Sequence, residues 1–140
     1  MAIKLEITQL ARLENLSLFR SFIEQACQQN AIDQALCYQL KLVVDEGCTN
    51  IISYGYTKGA PGSITLTFQR EAQQVEITLS DQGRPFDPNQ APTPALDDDW
   101  EARPIGGLGV YLMQTIMDKL HYQADPHHGN CLTLIKELRS

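Results

Sequence analysis

Two hydrophobic periods follow one another along the chain, and their order restricts the fold more than any other feature. Apolar residues alternate with polar ones over residues 2–8 and again in two runs between 64 and 80, which predicts strands. Between them, apolar positions recur every three or four residues over Leu13–Gln29 and from Asp33 to about Tyr54. This spacing predicts two amphipathic helices, with Asn15 and Asp33 as their N-caps.

The second half of the chain adds a long polar loop, a third helix and two strands. The loop runs from about Gln82 to Pro104, and so long a loop inside a compact domain is usually functional. A helix follows to about Leu120, and strands are predicted near 121–124 and 131–138. The order β-α-α-β-β-loop-α-β-β predicts an α+β fold in which helices cover one face of a mixed sheet. We expect residues 1–140 to form a single domain.

Composition excludes several classes of protein. The chain has 140 residues, 43% of them hydrophobic and 20% charged, which is enough apolar material for one core. No run approaches the ~20 apolar residues that span a bilayer, and the first residues lack the apolar block of a signal peptide. We therefore expect a cytoplasmic protein that does not contact a membrane.

The net charge of −6 and the pI of about 4.9 argue against direct nucleic-acid binding, which needs a basic surface. They also restrict how the chain could hold a phosphate. A metal ion and backbone amides, rather than a lysine cluster, would have to supply the positive potential.

The cysteines and histidines do not form a recognisable metal motif. The four cysteines include no Cys-x-x-Cys pair, and three lie in predicted helices, which favours reduced thiols in the core. His127 and His128 lie in a predicted turn without a third ligand at a useful spacing, so a zinc site is not favoured.

The first motif with chemical potential lies in the second predicted helix, where Glu46 and Asn50 are separated by one helical turn. A carboxylate can orient or deprotonate a hydroxyl, and an Asn oxygen is a hard ligand suited to Mg²⁺. Gly47 costs about 1 kcal/mol relative to alanine inside a helix, which indicates a close approach to the backbone. An exposed polar helix face would account for the same pattern.

The second motif, Asp81-Gln82-Gly83-Arg84-Pro85-Phe86-Asp87-Pro88, directly follows a predicted strand. An ionised Asp only accepts hydrogen bonds, so Asp81 could accept from the amino group of adenine. Gly83 would allow a close backbone approach. A strand-ending turn would have a similar composition.

The third motif, Gly106-Gly107-Leu108-Gly109, opens the last helix. Unpaired amides at a helix start attract phosphate oxygens without any lysine. The motif is not a P-loop, because no Gly-Lys-Ser/Thr sequence follows. A flexible hinge is the alternative interpretation.

Together, in this order, the three motifs resemble those of the GHKL ATPase superfamily, over nearly the whole chain. The segment from Glu46 to Asn50 resembles the Asn box, Asp81-x-Gly83 the first glycine box and Gly107-x-Gly109 the second. The resemblance implies a two-layer sandwich of the Bergerat type with a mainly antiparallel sheet and an ATP lid. It also implies that Asn50 binds Mg²⁺, that Asp81 binds adenine and that Glu46 is the catalytic base.

Within that superfamily, the short chain and the Asp-x-Gly-x-Pro-Phe-Asp-Pro motif look most like the anti-sigma-factor serine kinases. The resemblance implies a serine/threonine protein kinase that uses ATP and Mg²⁺ and phosphorylates a STAS-domain anti-anti-sigma partner. It leaves open a sigma factor as a second partner and a homodimer. Tyr54 and Gly47 depart from the His and Ala that relatives often carry, and Tyr54 could change contacts near the phosphates.

Arg103, on the loop before the glycines, could reach the γ-phosphate as a second catalytic residue, although a solvated loop charge would explain it equally well. Two other functions use the same nucleotide ligands. One is a non-catalytic module that binds a sigma factor or another regulator when ATP is present, and the other is a slow ATPase that transfers phosphate to water.

Overall fold

The computed structural model describes residues 3–57, 60–90 and 107–138. Five strands and three α-helices follow one another in the predicted order. Short 3₁₀ segments lie at Leu13–Asn15 and Pro88–Gln90, and a π-helical segment lies at Ile51–Gly55. The main elements are β1 (Lys4–Leu10), α1 (Leu16–Gln29), α2 (Gln34–Asn50), β2 (Ser63–Glu71), β3 (Gln74–Asp81), α3 (Gly107–Ile116), β4 (Lys119–Asp125) and β5 (Gly129–Glu137).

The strands form one sheet in the order β1-β2-β3-β5-β4. All four pairings are antiparallel, so the described sheet contains none of the parallel pairs that a mixed sheet would have. Successive side chains on a strand point to opposite faces, and the register aligns the apolar residues of neighbouring strands. Leu66, for example, stands opposite Leu79, which in turn stands opposite Leu132. The predicted α+β class is confirmed.

The three helices cover one face of this sheet and close the core. Phe19 and Ile23 from α1, and Leu40 and Val44 from α2, are buried in the same cluster as the inward-facing strand residues. The opposite sheet face is lined by polar residues such as Thr65 and Thr78, as expected for a face without a helical layer.

One predicted helix cap is confirmed and the other is wrong. The Asp33 carboxylate accepts a hydrogen bond from the Leu36 amide at 2.8 Å, which satisfies an otherwise unpaired donor of α2. Asn15 precedes α1 but makes no capping bond, and its Nδ2 donates instead to the Leu10 carbonyl at 2.9 Å. The side chain thus ties the start of α1 to the end of β1.

Two helix ends also differ from the prediction. The second helix is α-helical only to Asn50 and continues as a π-helix to Gly55. The third helix ends at Ile116 rather than near Leu120, because Lys119 already pairs with β5. None of the helices in the described parts of the chain is both long and apolar enough to cross a membrane.

The cysteine prediction agrees with the structure. Cys27, Cys37 and Cys48 are buried in α1 and α2, Cys131 is half-buried in β5, and all four are free thiols. Among the described residues, no group of three or more His, Cys, Asp or Glu side chains is arranged to hold a metal ion.

Candidate functional site

Helix α2 brings the first motif against the centre of the sheet. A Cβ atom added at Gly47 would collide with the Leu79 side chain of β3 and would lie 3.7 Å from Met113 of α3. The close approach predicted at Gly47 is therefore real, and its cause is core packing. One turn further on, Asn50 is only 6% exposed.

The second motif is held against the end of the same helix. The Arg84 amide donates to the carbonyl of Gly55, the last residue of the π-helical segment, at 2.7 Å. A Cβ atom at Gly83 would come within 2.6 Å of the Gly55 carbonyl carbon, so only glycine allows this contact of two backbones. The contact fixes the turn that follows β3 next to the end of α2.

Asp81, at the end of β3, is 8% exposed and its carboxylate is held from two sides. Its Oδ1 accepts from the Gly83 amide at 2.8 Å and from Asn130 Nδ2 at 3.0 Å. Asn130, at the start of β5, is itself 4% exposed. Nothing in the sequence alone indicated Asn130, because its place opposite Asp81 follows from the pairing of β3 with β5.

These elements surround a small cavity of about 30 Å³. Residues of α2, the segment after it, β3 and the turn that follows it, α3, β4 and β5 contribute to its wall. The lining residues are Gly47, Asn50, Ile51, Leu79, Asp81, Arg84, Phe86, Pro88, Met113, Tyr122 and Leu132. The cavity is mainly apolar, and Asn50 and Asp81 are its buried polar side chains.

An aromatic pair supports one wall of this cavity. The rings of Tyr54 and Phe86 stack with centroids 5.6 Å apart and planes inclined by 17°. The Phe86 amide also donates to the Tyr122 hydroxyl at 2.9 Å. Tyr54 therefore contacts Phe86, in the wall formed by the second motif.

The third motif begins α3 beside the first. A Cβ atom at Gly109 would collide with Glu46 Oε2 and lie 2.8 Å from its carboxyl carbon, so the start of α3 packs directly on the Glu46 carboxylate. Burial, and to a smaller extent the negative charge of Asp45, raises the pKa of Glu46 above the ordinary value for a glutamate. Glu46 thus lies at the start of the helix whose amides are the candidate phosphate ligands.

Asp45 has its own neighbour on α1. Its Oδ1 lies 3.3 Å from Arg20 Nε, although the geometry is not that of a hydrogen bond and this buried oxygen has no such partner among the described residues. The two groups are close enough for a charge interaction, which places a cation near the carboxylate pair formed by Asp45 and Glu46.

Of the predicted site residues, Asn50 and Asp81 line the cavity. Glu46 and Gly109 contact each other, and Gly83 contacts Gly55. Gly107 and Leu108 form the first turn of α3. Arg103 and Gly106 lie outside the described residues, as does the predicted lid beyond Gln90. The structure also adds Tyr122 and Asn130, which lie outside the three motifs, and it places Arg84 and Phe86 of the second motif in the cavity wall.

Asn50 is the candidate magnesium ligand. It is a buried side chain that lines the cavity, and no other described residue forms a hydrogen bond with its amide. Proteins usually bind Mg²⁺ through one or two carboxylates together with substrate phosphates and water, and the carbonyl oxygen of an Asn is likewise a hard ligand. A single Asn oxygen therefore fits this mode of binding.

Comparison with known proteins identifies the family. Residues 10–136 match the family described as the histidine kinase-like ATPase domain. The chain is 32% identical over 102 residues to the serine/threonine-protein kinase BtrW of Bordetella bronchiseptica, covering 73% of this chain and 72% of that protein. It is 32% identical over 107 residues to the serine-protein kinase RsbW of Bacillus subtilis, covering 71% of this chain and 63% of that protein.

Another relative, the RsbW of Bacillus pumilus, is 37% identical over 94 residues, and the match covers 57% of that protein. The chain therefore spans less than two thirds of the length of these two RsbW proteins.

Two solved structures share the fold. The RsbU and RsbW domains of a Mycobacterium tuberculosis protein align over 99% of this chain and 33% of that one, with a TM-score of 0.67 and 14% identity. The histidine kinase domain of a blue-light activated histidine kinase of Erythrobacter litoralis aligns over 88% of this chain and 61% of that one, with a TM-score of 0.54 and 19% identity. The sequence match and the shared fold lead to one conclusion: this chain belongs to the histidine kinase-like ATPase domain family.

Proposed function

We propose that this chain is an ATP-dependent serine/threonine protein kinase that acts as an anti-sigma regulatory factor. The observation that carries the proposal is the contact between Glu46 and the start of α3 at Gly109, one helical turn from the cavity-lining Asn50. A candidate base thus lies beside candidate phosphate ligands. The relatives named as serine and serine/threonine kinases support the same function.

The proposed nucleotide position follows from the chemistry of the cavity. Its apolar wall suits a base, and Asp81 would accept a hydrogen bond from the adenine amino group. The amides at Gly107–Gly109 would bind phosphate oxygens, since a helix start offers unpaired N–H groups and a favourable dipole. This explains how an acidic chain could hold a triphosphate without a lysine cluster.

In the proposed reaction, the Glu46 carboxylate orients the acceptor hydroxyl and takes its proton. The hydroxyl oxygen bonds to the γ-phosphorus as the bond from that phosphorus to the β–γ bridging oxygen breaks, which gives a phosphoserine and ADP. Such transfer depends mainly on positioning and on electrostatic stabilisation. Asn50 would hold Mg²⁺, which offsets phosphate charge when bound. Arg103 is proposed as a further cation for the γ-phosphate.

We propose a STAS-domain anti-anti-sigma protein as the phosphate acceptor, a sigma factor as a second partner, and a cytoplasmic location. We further propose that residues 1–140 act as one histidine kinase-like ATPase domain. The match of residues 10–136 to the family supports that assignment.

The test is phosphate transfer from labelled ATP to STAS-domain proteins of the same source, with wild type and Glu46→Gln compared. Glu46→Gln keeps the size of the side chain but removes the base, so transfer should fall by roughly 10²–10⁴-fold while calorimetry still detects ATP binding. Glu71→Gln, an exposed glutamate at the end of β2, is the matched control and should transfer phosphate at the wild-type rate.

Transfer by Glu46→Gln at the wild-type rate would remove Glu46 from the proposed role. A wild type that labels no candidate but binds one only in the presence of ATP would instead establish the nucleotide-gated binding module. Release of phosphate to water without a labelled partner would establish the slow ATPase.

A further inference from the structure

Asn130 is a buried amide at the point where β5 meets the end of β3. It stands opposite Asp81 in the antiparallel register and is 4% exposed. A buried amide costs free energy unless it is hydrogen-bonded, so the bonds that it makes are informative about its role.

Both donor bonds of Asn130 go to the second motif. Its Nδ2 donates to Asp81 Oδ1 at 3.0 Å and to the Gly83 carbonyl at 2.9 Å. An amide nitrogen carries two protons, so these bonds use its full donor capacity. The Gly83 amide completes the arrangement by donating to the same Asp81 oxygen at 2.8 Å.

The neighbouring glycine allows Asn130 to come this close. Gly129 has a φ of +83°, a conformation that residues with a side chain rarely adopt, and an added Cβ atom would lie 2.5 Å from the Asp81 carbonyl. The start of β5 is therefore pressed against the end of β3, within reach of the Asp81 carboxylate.

These bonds fix the orientation of the carboxylate. Oδ1 already has two donors, whereas no described residue donates a hydrogen bond to Oδ2. Because Asp81 lines the cavity, Oδ2 is the oxygen that remains to accept from a ligand there. We propose that Asn130 is a positioning residue that aims Asp81 Oδ2 at the 6-amino group of a bound adenine and so sets the selectivity for that base.

This inference rests on the proposed function, because it takes ATP as the ligand. It differs from the assignment of Asp81 itself, since Asn130 acts through the carboxylate rather than on the nucleotide. A purely structural role for Asn130 would alter affinity for all nucleotides alike, whereas the positioning role alters the preference for a base that has a 6-amino group.

The experiment is calorimetry of ATP and of purine riboside triphosphate, which lacks the 6-amino group, with wild type, Asn130→Ala and Asn130→Asp. Wild type should prefer ATP by at least about tenfold, the usual worth of a hydrogen bond to a charged group. Both variants should reduce that ratio by at least about threefold, because Ala removes the donor and Asp replaces it with an acceptor of similar size.

Asn89→Ala provides the matched control. Asn89 is exposed, and its Nδ2 also donates to a backbone carbonyl, that of Leu120, at 3.3 Å. Its substitution should leave the ratio of the two affinities unchanged. Circular dichroism checks folding, and Asn130→Asp serves as the deciding variant if Asn130→Ala does not fold.

Equal losses of affinity for both nucleotides, with the wild-type ratio kept, would show that Asn130 is only structural and would overturn the inference while leaving the proposed kinase intact. A wild type that binds both nucleotides equally would remove Asp81 from adenine recognition and overturn the inference with it. A wild type that binds neither would overturn the proposed function as well.

Discussion

At the scale of single residues, the fold changes the pKa of Glu46 through contacts that the sequence motif does not show. On an exposed helix face its carboxylate would behave as an ordinary glutamate. In the structure, the start of α3 packs on it at Gly109, and burial raises its pKa, with a further contribution from Asp45. A raised pKa makes a carboxylate a stronger base at neutral pH, provided that it remains ionised.

This environment predicts a pH dependence. Glu46 can accept a proton only when it is ionised, so transfer should be full above its raised pKa and be lost as pH falls through that value. Asp45→Asn removes a negative neighbour and should lower the pKa of Glu46, which shifts the acid limb of the rate profile to lower pH. The profile of kcat/KM against pH measures the shift.

The control is again Glu71→Gln, which removes a carboxylate far from the site in sequence and should leave the acid limb in place. An acid limb that moves to higher pH in Asp45→Asn, or does not move, would contradict the assignment of Asp45 as a cause of the raised pKa.

At the scale of elements, the connection between α1 and α2 depends on one residue in an uncommon conformation. Ala31, just after α1, has a φ of +56°, in the left-handed region that usually takes glycine. The guanidinium of Arg70, on β2, stabilises this connection. It donates hydrogen bonds to the Asn30 carbonyl and, at 3.4 Å, to the Ala31 carbonyl. The cation thereby satisfies carbonyls at the end of α1.

Ala31→Gly should therefore stabilise the protein. The left-handed conformation costs an alanine about 1 kcal/mol or more, and glycine avoids this cost but loses more backbone entropy on folding. We expect the free energy of unfolding, measured in urea, to rise by up to about 1 kcal/mol. Ala35→Gly, an exposed position in the first turn of α2, should lower it by about 0.5–1 kcal/mol. Equal destabilisation by both changes would show that Ala31 is not strained.

At the scale of the whole molecule, the candidate site joins elements from both halves of the chain. Asn50 of α2, Asp81 of β3, Met113 of α3 and Leu132 of β5 line the same cavity. A ligand in this cavity would contact α2, β3, α3 and β5 at once. Its binding free energy would therefore add to the stability of the entire domain rather than of one loop.

Mg-ATP should accordingly raise the melting temperature. A ligand at 100 times its Kd adds about 2.7 kcal/mol, which corresponds to a shift of roughly 5–10 °C for a domain of this size. GTP at the same concentration should shift it less, because it lacks the amino group that Asp81 would accept from. Differential scanning fluorimetry measures both shifts, and Asp81→Asn is the control that should reduce the ATP shift. Equal shifts with ATP and GTP would contradict adenine selection.

The sequence by itself determined the order of the elements, the cap at Asp33 and the three motifs, because periodicity, caps and glycine-rich turns are local properties. It did not determine the role of Asn15, whose side chain binds the Leu10 carbonyl instead of capping α1. Both bonds are open to an Asn at that position, and the approach of the two elements decides between them.

Only the tertiary structure decided which residues meet. The bond between Asn130 and Asp81 joins residues 49 positions apart, and it exists because β5 pairs with β3 in one particular register. The contact of Gly47 with Leu79, and that of Gly109 with Glu46, likewise arise from helices packing on a sheet. Such pairings depend on the whole set of core contacts, so no single stretch of sequence contains them.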